Sequence, residues 1–274
     1  MNQAAPQLAD HPGSYLVGLY FDLYSDRPQD WRREADFNHS MGPQLLEVML
    51  EYPGSCADMT PAKAAELAAV LGDVSVTVHG PTLNLSLVAM ADRIVDATQQ
   101  ELLAALSVCD RIGASSMTIH GGEYPFLTEL NGRTPGGTFS AGVAPVLAKA
   151  AELGIRVAVE NLKGKRIFPA TFDDLDDILG RHEDLRLAFD VRHFCVNGID
   201  VGQAFGRYRD RIENIHYRDD CGLSDEQLRD FLGQVVGSGY AGGLIVEDQA
   251  LNDAEKSDKS QLIAGLDRIR RVSA

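Results

Sequence analysis

Six short β-favouring runs in this chain each end on a residue type that binds metal or moves protons. They recur at roughly 25–40-residue spacing, which suits one strand and one helix per repeat. Arg156–Asn161 reads Arg-Val-Ala-Val-Glu-Asn and delivers Glu160 at its end. Leu185–Asp190 ends on Asp190, Ile212–His216 on His216 and Gly243–Glu247 on Glu247. Upstream, Val74–His79 ends on His79 and Met117–His120 on His120. A short apolar run closed by a polar residue fits a buried parallel strand presenting its last side chain at the C-terminal mouth.

Helical segments alternate with these runs. Thr60 and Pro61 suit the cap and first turn of a helix over Thr60–Leu71. Leu87–Ile112 reads as one long amphipathic helix or two, closing at Gly113. Phe139–Leu153 stops at Gly154, and Thr171 with Asp174 starts a helix through Leu179. Val201–Tyr208 is a short helix, and Ser224 with Gln227 caps another running to about Val236. In Lys259–Val272 the buried face is expected at Leu262, Ile263, Leu266 and Ile269. Tyr15–Leu23 is the first strand, and Leu45–Glu51 should hold the second, although its Leu-Leu-Glu-Val-Met-Leu-Glu equally reads as helix. Ser25–Met41 has no clean apolar period and is expected to be an irregular loop with one short helix around Trp31–Phe37. Gly121–Gly137 reads as a long loop of the kind that serves as a lid or binding loop, and 1–13 as a loose tail.

This alternation implies a parallel α/β fold. A closed (β/α)8 TIM barrel, in one domain over residues 1–274, is favoured over a doubly wound open sheet. No Gly-rich nucleotide turn follows the first strand, and an open sheet concentrates its site at one switch point instead of using six strand ends. The net charge of −15 argues against a nucleic-acid partner. Neither a signal-like start nor a membrane-length apolar run is present, so the expected location is cytoplasmic, without a membrane partner. Cys56, Cys109, Cys195 and Cys221 form no CxxC pair and read as reduced thiols.

Strand ends of a barrel converge, so Glu160, Asp190, His216 and Glu247 can meet around one ion. Three carboxylates and an imidazole favour Mn2+, Mg2+ or Co2+, with Zn2+ also compatible. Each residue taken singly can equally cap a helix or pair with an arginine. The recurrence in register points to metal, because clustered buried acids are costly without a cation.

The Glu160-Asn161 pair, Asp190-Val191-Arg192-His193, the His216 strand and Ile245–Glu247 resemble the xylose-isomerase-like barrel superfamily. His79–Asn84, Ile119–Gly122 and Gly239–Gly242 add to the resemblance, which runs from about Tyr15 to the C-terminus. That superfamily includes sugar and sugar-phosphate isomerases and epimerases, and endonuclease IV. The resemblance implies one divalent ion on Glu160, Asp190, His216 and Glu247, with Glu160 and Glu247 as the acid–base pair on a small sugar or polyol substrate. It further implies substrate contacts from His79, His120, His193 and Arg218.

Two other readings stand beside this sugar, ketose or polyol isomerase or epimerase. His79, His120, Glu160, Asp190, His193, His216 and Glu247 match seven ligand positions of endonuclease IV. The Asp-x-His pair of its third metal site is missing, since no histidine follows His216. A second ion on His79, His120 and Glu160 remains open, and so does a non-catalytic sugar-binding barrel. Lys163, Lys165 and Arg166 could meet an anionic group, and Gly237-Ser238-Gly239 could cradle a phosphate at the mouth. Substrate, ion identity and self-association are left open.

Overall fold

The computed structural model describes residues 14–247 and 259–273, apart from 24, 26, 52–58 and 131. The tail expected at 1–13 and Cys56 lie outside the described residues. In chain order the strands are β1 (Leu16–Asp22), β2 (Leu45–Met49), β3 (Ser75–His79), β4 (Ser116–Ile119), β5 (Gly122–Glu123), β6 (Arg156–Glu160), β7 (Ile167–Phe168), β8 (Leu185–Asp190), β9 (Ile212–Tyr217) and β10 (Gly243–Val246). Eight of them close a parallel barrel in the order β1-β10-β9-β8-β6-β4-β3-β2. The closed (β/α)8 barrel expected from the alternation is therefore the fold, and the open-sheet alternative falls away.

Strand parity divides the chemistry. Successive side chains of a strand point to opposite faces. On β6, Val157 and Val159 join the large apolar core shared with the helices, as do Leu187 and Phe189 of β8 and Leu244 and Val246 of β10. The residues between them, Ala158, Ala188 and Ile245, are on the inner face together with Glu160, Asp190 and Glu247. A separate small cluster of Tyr20, Leu45, Met49 and Ile245 fills part of the barrel interior. Between Leu45 and Met49, on the same face of β2, sits Glu47. Buried apolar packing thus holds the barrel from outside while its interior rises to a polar mouth.

Three expectations require correction. Ser25–Met41 is not mainly loop: Pro28–Ser40 is a 13-residue helix. Its buried stripe is Trp31, Ala35 and Asn38, at helical spacing but with only one large apolar side chain, so the periodicity is faint. Trp31 Nε1 donates to the Ser25 carbonyl at 2.6 Å and anchors the start. The helix read from Leu87 begins at Asp92, and Leu87 and Val88 are buried ahead of it. On the last helix, Ser260–Ser273, Ile263 is 37% exposed, and the buried face is Leu262, Gly265, Leu266, Ile269 and Val272. Ile263 lies about 100° round from Leu262, so it leaves the stripe while Val272 continues it. The ambiguous Leu45–Glu51 stretch resolves as strand, with Leu45–Met49 wholly buried.

Gly121–Gly137 is also more ordered than a single long loop. β5 pairs antiparallel with β7, a helix spans Leu127–Leu130, and the next helix starts at Pro135 under a Thr134 cap. The β5–β7 ribbon ties the segment after β4 to the segment after β6 across the mouth. Gly121 is required there, because a Cβ on it would stand 2.2 Å from the Phe168 carbonyl oxygen. Among the described residues no helix is long and apolar enough to cross a membrane.

Gly121→Ala should therefore spread the ribbon and lower stability by about 1–3 kcal/mol. Urea unfolding of the variant against wild type checks this, and an unchanged midpoint would show that the ribbon yields without cost.

Candidate metal centre

Register brings the strand-end residues together. Asp190 on β8 is the Cα partner of His216 on β9, and Glu160 on β6 pairs with Ala188 two residues below Asp190. Asn161 locks this edge: its Nδ2 donates to the Asp190 carbonyl at 3.0 Å and its Oδ1 accepts from the Asp190 amide at 2.8 Å. Asp190 also caps the helix Val191–Val196, with Oδ1 accepting from the His193 amide at 2.5 Å. The Glu-Asn and Asp-x-x-His patterns thus have a local structural cause beside any chemical one.

Glu160 is 2% exposed and surrounded by imidazoles. Its Oε2 lies 3.2 Å from His79 Nε2, 2.9 Å from His120 Nε2 and 3.6 Å from His216 Nδ1. Its Oε1 is 2.9 Å from His193 Nδ1, which also faces the Asn161 carbonyl at 2.9 Å. Lys163 Nζ stands 2.9 Å from His193 Nε2, and with the ammonium as donor a neutral His193 would carry its proton on Nδ1, facing Glu160. His216 Nδ1 is 2.9 Å from Glu247 Oε1, and its Nε2 is 3.0 Å from Glu47 Oε2. These His216 separations are those of ion pairs, yet neither ring nitrogen has a hydrogen bond directed along it.

Burial and charge pull against each other here. Burial pushes the Glu160 carboxyl up, but the His120, His193 and His216 rings hold it well below the ordinary range. Glu247 is likewise held down by His216 against burial. Burial lifts Asp190 to about 7, with the Glu160 and Glu247 charges adding to the rise. Burial works against the charge on His216, yet Glu47 and Glu247 hold it well above the usual imidazole value. His79 is raised to about 9, Glu160 outweighing burial, whereas burial keeps His120 lowered.

The donor set fits a divalent cation. Glu160, Asp190 and His216 have ligand atoms within 4.8 Å of one another, and Glu47, His216 and Glu247 form a second such group. A third comprises His79, His120 and Glu160. His216 belongs to the first two groups and joins Glu247 to Glu160 and Asp190. A wholly buried imidazole with no directed hydrogen bond, set among carboxylates, has the chemistry of a metal ligand.

Next to these residues opens a cleft of 710 Å³, into which His120, His193 and Lys163 face beside Leu83, Met90 and Ile94. Arg218 follows β9 at the mouth but does not line this cleft. Arg218 is held by Asp220, its Nε 3.1 Å from Oδ1, and Arg192 shares that carboxylate at 3.1 Å. Gly237-Ser238-Gly239 leads into the N-terminal end of β10, the face opposite the mouth, so it makes the turn there and no phosphate cradle at the mouth. Arg166 stacks over the Phe126 ring at 5.3 Å. Glu47 escaped the sequence reading, because a strand that also scans as helix does not reveal which residues face inward. Taken as a strand, its parity with Leu45 and Met49 would have pointed to it.

Residues 39–271 match the family model described as the xylose isomerase-like TIM barrel. The chain belongs to that family. Its fold is shared with a D-tagatose 3-epimerase-like protein at 17% identity and TM-score 0.74, covering 94% of this chain and 100% of that one. D-psicose 3-epimerase from Clostridium cellulolyticum, solved with D-tagatose, aligns at 15% identity and TM-score 0.70, over 94% of this chain and 99% of its own. A 3-keto-D-glucoside 4-epimerase from E. coli aligns at 14% and 0.70, over 94% and 98%. At these identities the likeness establishes the fold of the xylose isomerase-like barrel. No curated protein matches the chain by sequence.

A cation on Asp190 must displace the proton that this carboxyl holds below about 7. Divalent-ion affinity should therefore rise from pH 6 to pH 8, with proton release on binding. Calorimetry in buffers of different ionisation enthalpy checks this, and pH-independent affinity without proton release would contradict it. Without metal the sign is opposite for stability: a carboxyl raised from its unfolded value of about 3.9 loses folded-state stability as pH climbs toward 7.

Proposed function

We propose that the protein is a divalent-metal-dependent isomerase or epimerase acting on a small sugar, ketose or polyol by enediolate proton transfer. The observation that carries this reading is the convergence of Glu160, Asp190, His216 and Glu247 at a buried mouth beside a 710 Å³ cleft. Membership of the xylose isomerase-like barrel and the sugar epimerases among its structural neighbours support it. Glu160, Asp190, His216 and Glu247 would hold one ion, Mn2+, Mg2+ or Co2+ before Zn2+. When bound, the ion supplies Lewis-acid polarisation of a carbonyl and its neighbouring hydroxyl.

The chain's own residues divide the remaining work. Glu160 and Glu247 are both held ionised at neutral pH, as a proton acceptor must be. They come from barrel strands three apart in the closed order, β6 and β10. One takes the carbon-bound proton beside the carbonyl, and the other, after taking up a proton from solvent through the cleft, returns it to the opposite face. His120 and His193 border the cleft and would hold substrate oxygens, with Lys163 facing the His193 Nε2 edge.

A second reading rests on His79, His120 and Glu160, whose spacing would accept another ion. That arrangement would favour a hydrolase of the endonuclease IV type. The net charge of −15 and the missing Asp-x-His pair weigh against a nucleic-acid substrate. Purified protein should hold about one divalent ion per chain. Two ions per chain, with cleavage of an abasic-site duplex, would replace the epimerase reading with the hydrolase.

Glu160→Gln and Glu247→Gln should each lower turnover and solvent exchange at carbon by about 10^2–10^4 while still binding metal. Asp190→Asn should act through metal affinity, so excess ion recovers part of its activity. Turnover and C–H exchange in deuterated water, at low and saturating metal, separate the cases. Near-normal exchange in both glutamine variants at saturating metal would remove them as acid and base.

A further inference from the structure

We propose that Glu47 is a positioning residue for the metal centre, fixing the His216 proton on Nε2 so that Nδ1 is the ligating nitrogen. This rests on the metal-dependent reading above and assigns a residue outside its ligand set. Glu47 stands in the middle of β2, inside the barrel, and is 0% exposed. A carboxylate buried at that depth needs partners, since an unpaired charge in an apolar interior is costly. It has two. Thr118 Oγ1 on β4 donates a hydrogen bond to Oε1 at 3.2 Å, and Oε2 makes an ion-pair contact, 3.0 Å from His216 Nε2, without a directed hydrogen bond.

The two edges of the His216 ring therefore face different groups. Glu47 is on the Nε2 edge, toward the barrel interior. Glu247 Oε1 at 2.9 Å and Glu160 Oε2 at 3.6 Å are on the Nδ1 edge, toward the mouth. A neutral imidazole carries one proton, so a carboxylate facing Nε2 selects the tautomer whose free lone pair is on Nδ1. Metal-bound histidines are commonly held this way, by an acceptor on the nitrogen that does not ligate. Thr118 keeps the carboxylate from rotating away, so three strands, β2, β4 and β9, share in orienting one ring. The competing arrangement puts the ion between Glu47, His216 and Glu247, with Glu47 as a ligand.

The experiment compares wild type with Glu47→Gln and Thr118→Val by Zn2+ and Mn2+ titration, thermal unfolding and 15N NMR of the histidines in the Zn2+-loaded protein. Glu47→Gln should weaken the ion by about 10–100-fold, the usual effect of losing such a partner. Thr118→Val should shift affinity in the same direction by less. His216 should show a metal-bound Nδ1 and a protonated Nε2 in wild type, a signature that a merely structural role for Glu47 would not set. Metal on Nε2, or wild-type affinity in Glu47→Gln with unchanged 15N shifts, overturns the proposal alone. Failure of wild type to bind either ion overturns the metal-dependent reading and this inference with it. Should Glu47→Gln not fold, Thr118→Val decides, and wild-type affinity in that variant counts against Glu47.

Discussion

A carboxylate buried as deeply as Glu160 persists only where positive or proton-donating groups surround it, and the upper barrel is built around that constraint. Four imidazoles, from β3, the end of β4, the helix after β8 and β9, approach its two oxygens within 3.6 Å. Burial alone would protonate the acid and discharge the rings. Their mutual approach holds Glu160 ionised, and with it a concentration of charge that the surrounding apolar shell does not screen. Asp190 shows the contrary case, because burial and two neighbouring acids lift it to about 7. The same small volume therefore holds a firmly ionised acid and one that titrates near neutrality, a separation characteristic of functional sites.

Such a cluster is costly, and the scaffold meets that cost in backbone geometry. The Asn161 carboxamide closes two hydrogen bonds on the Asp190 peptide, and Asp190 in turn caps the helix carrying His193. The β5–β7 ribbon joins the loops that flank His120 and Lys163. These contacts connect residues from four segments into one mouth whose side chains are held by backbone hydrogen bonds.

Much of this was legible in the sequence, because two periodicities carried the information. Alternation of short β-favouring runs with capped helices implied the parallel barrel, and each run's final residue marked the mouth. Capping pairs such as Thr171 with Asp174 and Ser224 with Gln227 placed helix starts correctly, since a cap is a local hydrogen bond between near neighbours. The helix Pro28–Ser40 was not legible for the converse reason. Its inner face is one tryptophan, one alanine and one asparagine, and a stripe so weakly apolar becomes a helix only against the wall it packs on.

What the sequence determined by itself was the barrel and the set of strand-end acids and histidines, both consequences of short-range pattern. Which of those side chains touch was decided by strand register and closure, which pair residues tens to hundreds of positions apart. Only closure places Glu47 of β2 against His216 of β9, three strands away round the ring and across its narrow interior in space. Arg218 is taken up locally, by Asp220 two residues on, and Gly237–Gly239 lies at the opposite end of the barrel. A linear pattern states which residues lie at strand ends, and which face inward only where the strand itself is unambiguous. The diameter of the closed sheet, set by eight strands and their stagger, decides which inward residues meet.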